Sequence, residues 1–328
     1  MKIDIFAHIL PPKYLEAVNR LVMINPDYVE RTRTLSDLDA RFRIMDKYDE
    51  YVQVLTVPGF YRVITEGGEK AVELAKMAND GMAELVLRYP DRFVAAAASL
   101  PLHNMDAALK EAERAINELN FRGVEIWATP DKPLDMPEFM PLYDELCRFN
   151  LPIWIHPMRT PSVPDYANEK ESKYGINSVF GWVYETTTAM TRLVFGKVFE
   201  KYPHIKFITH HCGAMIPYLA DRIVSHYDNY EMVWGRSDKK GLTKQPIDYF
   251  RMFYNDTALN GNTAALNCAH AFFGADRLLF ATDMPFDSQL GEVSIRETIR
   301  SVEEMAVPER DKKKIFEHNA RKLMRLPV

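Results

Sequence analysis

Eight short apolar runs, separated by longer stretches with helical periodicity, constrain this chain more than any other feature. Runs of roughly four to six apolar or β-branched residues, bounded by turn formers, read as buried parallel strands. They lie near Ile3–Phe6, Val52–Thr56, Phe93–Ala98, Val124–Ile126, Ile153–Ile155, Lys206–Ile208, Met252–Tyr254 and Leu278–Phe280. Between them the pattern predicts helices, among them Leu35–Tyr48, Glu69–Tyr89, Met105–Leu119, Pro137–Phe149, Thr186–Tyr202 and Ile216–His226. Two more helices follow the last strand, near Val293–Met305 and Glu309–Leu323. Strands alternating with helical crossovers over 328 residues predict one α/β domain, a (β/α)8 TIM barrel spanning 1–328. A doubly wound open sheet competes. No G-x-G-x-x-G follows the first strand, so the dinucleotide-binding version of that sheet loses support. The polar, turn-rich stretch Met158–Ser178 follows the fifth strand. There it would lie over the barrel mouth, as a lid or a subunit contact.

Four of the runs end abruptly in a polar group. His8 follows the first, His156 the fifth, His211 the sixth and Asp283 the eighth. The C-terminal strand ends of a barrel converge on one mouth, so residues from opposite ends of the chain are expected to meet there. Two imidazoles and a carboxylate suit a borderline divalent ion such as Zn2+, and a third imidazole then serves as acid or base. The competing reading is that these groups merely cap strand ends and bond the backbone.

Composition narrows the function classes. The chain is 47% hydrophobic and 27% charged, as ordinary globular proteins are. No apolar run approaches the roughly 20 residues a membrane helix needs. The opening MKIDIFAHILPP lacks the apolar core of a secretory signal. A net charge of −5 without a Lys/Arg stripe disfavours nucleic-acid binding. Cys147, Cys212 and Cys268 show no C-x-x-C spacing, which suits a reducing cytoplasm.

The order of motifs resembles the amidohydrolase superfamily. Asp4-Ile5-Phe6-Ala7-His8 resembles its opening strand motif, and Ile153-Trp154-Ile155-His156-Pro157 its fifth-strand histidine. Phe207-Ile208-Thr209-His210-His211-Cys212-Gly213 resembles the sixth-strand histidine–glycine motif. Phe280-Ala281-Thr282-Asp283-Met284-Pro285-Phe286 resembles the eighth-strand aspartate motif. More narrowly, the chain looks like the branch of aminocarboxymuconate-semialdehyde decarboxylase and γ-resorcylate decarboxylase. Segments around Arg41–Asp46, Ser99–Leu102 and Trp182–Lys206 match that branch, and the resemblance spans nearly the whole chain.

The resemblance implies His8, His156 and Asp283 as metal ligands, with Zn2+ or Mn2+ as the ion, and His211 and Asp283 as catalytic groups. It implies Arg41 as a carboxylate-binding residue, where a solvated helix face is the alternative. One departure stands out: the family usually places His or Glu two positions before the second opening histidine, and this chain has Phe6. Residues 6 and 8 of a strand face the same way, so Phe6 fills the volume of a ligand without coordinating. A metal-free site is therefore an open alternative. Glu125 is a candidate replacement carboxylate; pairing with Arg122 or Arg159 is its alternative. Phe6 and Trp182 are expected to face substrate. Strand alternation assigns His210 a packing role opposite His211, and Asp256 is expected to orient His211 or the loops. Cys212 shows no sign of activation.

The leading expectation is a metal-dependent, non-oxidative decarboxylase acting on an aromatic or unsaturated carboxylic acid. A metal-dependent hydrolase or hydratase of a small acid uses the same residues and stays open. So does a metal-free barrel with a binding role. The aromatic-rich Trp182–Phe199 segment and the long Met158–Ser178 insertion predict a homodimer or larger homo-oligomer.

Overall fold

The computed structural model of the chain describes residues 1–59, 68–235 and 237–326. Its strands are β1 (Lys2–His8), β2 (Tyr51–Thr56), β3 (Phe93–Ala96), β4 (Ala98–Ser99), β5 (Val124–Ala128), β6 (Ile153–Pro157), β7 (Phe207–Thr209) and β8 (Tyr254–Asn255). All pair in parallel, as β1-β2-β3 and β4-β5-β6-β7-β8. β3 and β4 are two halves of one stave: the Ala97 amide still bonds Leu55 O on β2, while Ala98 turns to Gly123 O. The eighth stave, 278–284, closes the barrel. Leu278 bridges Asn255 on one side and Met284 bridges Ala7 on the other. Ile5 N bonds Phe280 O at 3.0 Å, and Asp283 N bonds Phe6 O at 3.1 Å.

The expected barrel is therefore present, with two shifts in its strands. The seventh stave is Tyr254–Asn255 rather than Met252–Tyr254. The segment expected as strand Leu278–Phe280 forms bridges rather than a regular ladder. Side chains compete for its amides: Ala281 N bonds Thr257 Oγ1 at 2.9 Å and Thr282 N bonds Asp4 Oδ1 at 3.1 Å.

Helices cover the outside, and their starts follow local capping chemistry. Asp37 caps Leu38–Met45, Asn104 caps Met105–Asn117 and Asn262 caps Thr263–Phe273, each accepting a first-turn amide. The expected helix Thr186–Tyr202 is split into Trp182–Phe195 and Val198–Lys201 by Gly196 and by Lys197 at φ 63°. The helix expected at Ile216–His226 instead runs Ala220–Trp234, because a strained turn precedes it. The expected pair near the chain end is present: Glu292–Glu303, then Glu309–Lys313 running through a π-helical turn at Lys314–His318 into Asn319–Met324.

Burial divides into two apolar clusters. The larger fills the space between staves and helices. The smaller lies inside the barrel and includes Phe6, Val52, Val54, Ala95, Ala97, Trp154, Ile208, Leu279 and Ala281, joined by Ala320, Leu323 and Met324 of the last helix. Small alanines face the bulky Trp154 ring, so the interior is filled rather than hollow. The insertion Met158–Ser178 folds on itself through Asp165, which accepts from Ser172 Oγ and Lys173 N. Asn177 and the Trp182 indole both donate to Arg159 O, tying the insertion to the end of β6.

Candidate active site

The C-terminal ends of β1, β6 and the eighth stave deliver His8, His156 and Asp283 to one point. Their donor atoms lie within 4.8 Å of one another. His8 Nδ1 sits 3.0 Å from Thr56 Oγ1, which aims Nε2 at the mouth. His156 Nδ1 donates to Pro157 O at 2.7 Å, so its Nε2 carries the lone pair. Asp283 Oδ1 is 3.0 Å from His8 Nε2. The angles make no hydrogen bond, and both atoms are buried without such a partner. Donor atoms gathered this closely around one point, two of them buried without a hydrogen-bond partner, are what ligands around a single ion look like. The residues present fit a divalent cation. Asp283 is the open edge, with 21% of its side chain exposed. It stands at φ 58°, a left-handed conformation locked by its amide's bond to Phe6 O.

His210 corrects the expectation that it packs away from the site. The strand ends at Thr209, so alternation stops before the histidine pair. His210 is fully buried within the cluster, its Nδ1 against Asp256 Oδ2 and its Nε2 3.4 Å from Asp283 Oδ2. His211 follows at φ 55° and opens a left-handed run through Cys212, Gly213 and Ala214. The donor atoms of His210, His211 and Asp283 also lie within 4.8 Å of one another, so both histidines face the mouth. Asp256 holds this turn. Its carboxylate accepts the amides of His211, Cys212 and Ala258 at 3.2, 2.8 and 3.1 Å. It thus orients the His210 ring and the His211 backbone, not the His211 ring.

Electrostatics separate the five groups. Burial pushes His210 down, but the Asp256 and Asp283 charges outweigh it and raise the imidazole to about 10. Burial would raise the Asp283 carboxyl, yet His210 and His8 hold it well below the usual range. Burial lowers His8 against the pull of Asp283, and lowers His156 further with the His210 charge beside it. His211 falls to about 4, from burial and the same neighbouring charge. Before any cation binds, the site therefore holds one imidazolium and three neutral imidazoles.

The other candidates fall into place around this core. Phe6 is fully buried, its ring 5.4 Å from His8, 5.6 Å from His156 and 4.3 Å from His210. It floors the imidazoles, as its same-side placement with His8 predicts. Trp182 lies 6.0 Å from His156 and 6.4 Å from His211, forming a wall. Arg41 is neither a solvated helix face nor presented to the mouth. It is fully buried and braces the site from behind, with Nη1 on His8 O at 2.7 Å and Thr34 O at 3.1 Å and Nε on Gln53 Oε1 at 2.8 Å. Glu125 meets neither Arg122 nor Arg159; Arg159 pairs with Glu185 instead. Both Glu125 oxygens are buried without a partner, and it stands outside both donor sets. Burial pushes its carboxyl well above the usual range. Cys212 is buried and its thiol is pushed up, against any nucleophilic role.

Phe286, expected from the sequence as a pocket aromatic, lies 5.4 Å from His8. Two residues escaped the sequence reading. The Trp127 ring lies 4.5 Å from His156. Asp4 accepts from Tyr51 Oη at 2.5 Å and Thr282 Oγ1 at 2.6 Å, tying the first stave to the last. Trp127 had a signal: it occupies the same strand-end position on β5 that His156 occupies on β6, and the two are paired in register.

Comparison with known proteins agrees with this geometry. Over 303 residues the chain is 30% identical to γ-resorcylate decarboxylase of Rhizobium radiobacter, covering 90% of this chain and 89% of that one. It is 26% identical to 2-amino-3-carboxymuconate-6-semialdehyde decarboxylase of Dictyostelium discoideum, covering 93% and 87%. Among solved structures, a dihydroxybenzoic acid decarboxylase from Polaromonas sp. JS666, with bound manganese and the inhibitor 2-nitroresorcinol, superposes with a TM-score of 0.83. The two are 29% identical, over 100% of this chain and 97% of that one. The amidohydrolase family model matches residues 3–326, from the first strand to the last helix. With a barrel of that architecture and histidines and an aspartate converging at its mouth, the chain belongs to the amidohydrolase family.

Proposed function

We propose that this chain is a non-oxidative decarboxylase, a carboxy-lyase acting on an aromatic carboxylic acid. One observation carries the reading: the donor atoms of His8, His156 and Asp283 face a single point at the barrel mouth, walled by aromatic rings. Likeness to γ-resorcylate and carboxymuconate-semialdehyde decarboxylases over about nine-tenths of the chain supports it. A divalent ion held by His8, His156 and Asp283 supplies a positive anchor for substrate oxygens and for charge developing beside the breaking bond. Imidazole and carboxylate donors suit both Mn2+ and Zn2+. The manganese of the Polaromonas relative favours the former.

The chain's own residues supply shape and protons. Trp127, Trp182 and Phe286 offer flat apolar faces to a planar acid. When the carbon–carbon bond breaks, CO2 departs and its electron pair stays with the ring carbon, which takes up one proton. Asp283 and His211 are placed to carry that proton. Asp283 lies at the open edge, and His211, neutral near pH 7, accepts a proton from solvent and passes it on. Phe6 and the buried Arg41 shape and brace the pocket rather than react.

We place the enzyme in the cytoplasm, as one catalytic domain assembled into homodimers. Three free cysteines agree with a reducing compartment. Tyr174 at 94% and Phe180 at 63% exposure leave apolar surface on the insertion and on the turn just after it for a second copy. No helix among the described residues is long and apolar enough to cross a membrane.

The test is turnover of 2,6-dihydroxybenzoate and related hydroxybenzoates in D2O. Release of CO2 with one deuteron at the vacated ring carbon is expected. Consumption of substrate without CO2, with water oxygen entering the product, would overturn decarboxylation in favour of hydrolysis or hydration.

A further inference from the structure

The Asp4 carboxylate is fully buried where the first and last staves meet. Oδ1 accepts the amides of Phe6 and Thr282, both at 3.1 Å. Oδ2 accepts Tyr51 Oη at 2.5 Å and Thr282 Oγ1 at 2.6 Å. Thr282 is thus gripped at two atoms, in the position just before Asp283 turns to φ 58°. Phe6 O in turn takes the Asp283 amide at 3.1 Å. Behind Asp4 a buried chain of donors continues. Gln53 Nε2 donates to Tyr51 Oη at 2.9 Å, and Arg41 Nε donates to Gln53 Oε1 at 2.8 Å. Arg41 Nη1 also donates to His8 O at 2.7 Å. The chain therefore begins at the backbone of one candidate ligand and ends beside the other. From Arg41 to Tyr51 every donor points toward Asp4, so each bond polarises the next.

We propose that Asp4 is a positioning residue for the divalent ion: its carboxylate, braced by Tyr51, Gln53 and Arg41, sets the approach of Asp283 to His8. This rests on the divalent-ion reading above. Closing the barrel does not require Asp4. Backbone bonds already join the two staves, Ile5 N to Phe280 O at 3.0 Å and His8 N to Met284 O at 3.1 Å. A buried charge is also a costly way to join two strands, and apolar packing would serve as well. What those backbone bonds leave free is the turn at Thr282–Asp283. There the last stave departs from a regular ladder, and Asp4 takes the Thr282 amide. With Thr282 fixed, the Asp283 carboxylate leaves the stave at one angle, and Oδ1 comes to 3.0 Å from His8 Nε2. Without that grip the carboxylate would be free to swing toward the open edge, where 21% of it is already exposed.

The experiment is Mn2+ affinity by chelator competition, with the visible d–d bands of Co2+-loaded protein and a thermal melt for each variant. It uses the wild type, Asp4→Asn, Thr282→Val, Thr282→Ser and Leu279→Ala. Leu279 is buried in the interior cluster on the same stave, so Leu279→Ala lowers stability through a cavity and leaves the Asp4 bonds in place. Asp4→Asn keeps the side chain's size but replaces an acceptor oxygen with a donor facing hydroxyl groups. It should bind Mn2+ about 10- to 100-fold more weakly, the scale of a lost carboxylate behind a ligand. Thr282→Val keeps the shape and loses the hydroxyl grip; it should weaken binding about fivefold or more, whereas Thr282→Ser should stay within about twofold of the wild type. The d–d bands should shift in Asp4→Asn and Thr282→Val. In Leu279→Ala the bands and the affinity should match the wild type despite a lower melting temperature. If Asp4→Asn does not fold, the two Thr282 variants decide alone. A folded Thr282→Val protein with wild-type affinity and bands would overturn the inference while leaving the ion in place. An affinity loss in Leu279→Ala equal to that in Thr282→Val would overturn it as well, since general loosening would explain both. A wild type that binds no ion would overturn the metal reading itself, and this inference with it.

Discussion

Asp283 Oδ1 lies 3.0 Å from His8 Nε2, yet no hydrogen bond joins them. One residue ends the first stave and the other the last. Two polar atoms held close with nothing between them leave a place for a cation, and most of the expected behaviour follows from that contact.

Replacing Asp283 and replacing His211 should have different consequences. Asp283→Asn removes a charged ligand and a proton carrier together, so both bound metal and turnover should fall. His211→Asn should keep the metal and lose roughly 10²-fold or more in rate, the usual scale for a missing acid or base. Metal content and kcat measured side by side decide it. An Asp283→Asn protein with full activity would refute the mechanism.

Metal removal should abolish turnover and leave the fold. The barrel interior is packed with apolar side chains, so its stability does not hang on the ion. Chelation followed by circular dichroism and assay should give a folded, inactive protein that Mn2+ or Zn2+ restores. Undiminished activity after complete metal removal would refute the metal half and leave His211 and Asp283 as a proton-transfer pair.

Glu125 gives stability a pH dependence of known sign. Its carboxyl is raised in the folded protein, so the native state holds the proton more tightly than the unfolded chain does. That stabilisation is fully present below the unfolded carboxyl range and disappears as pH rises through the folded value. Replacing this unpaired acid with a similar-sized apolar residue removes the burial cost. Glu125→Met should therefore be more stable than the wild type at pH 8, by more than at pH 5. Denaturant melts at the two values are the check; a gap that shrinks at pH 8 contradicts the burial argument.

The homodimer is checked by light scattering at micromolar concentration. Replacing Phe180 and Tyr184 with serine should shift the protein toward monomer, since these exposed rings lie where the insertion meets the following helix. A wild type that is already monomeric would remove the assembly.

The barrel was legible because the eight apolar runs carry their own periodicity, and parallel strands buried on both faces have no polar side to confuse it. His8, His156 and Asp283 were legible because strand ends in this fold share one mouth. His210 was not. The alternation rule holds only while the chain stays in a strand, and the strand stops at Thr209, where Asp256 draws four left-handed residues into a turn. Asp256 comes from the next stave and cannot be seen from the local sequence. Arg41 was misplaced for a similar reason: its partners His8 O, Thr34 O and Gln53 are supplied by segments on either side of its own helix. The eighth stave was found but its irregularity was not, because Asp4 and Thr257 take its amides from elsewhere in the fold.

The bond between Asp283 N and Phe6 O lies on the seam where the barrel closes, and the eighth stave makes bridges there instead of a full ladder. The candidate site is thus assembled by a contact between residues 6 and 283, near opposite ends of the chain. Contacts of that kind form late, because the loop they close is nearly the whole chain. During refolding, helix content and core burial should recover first. Metal capture and catalysis should return together and later, reporting the moment when the two ends of the polypeptide meet.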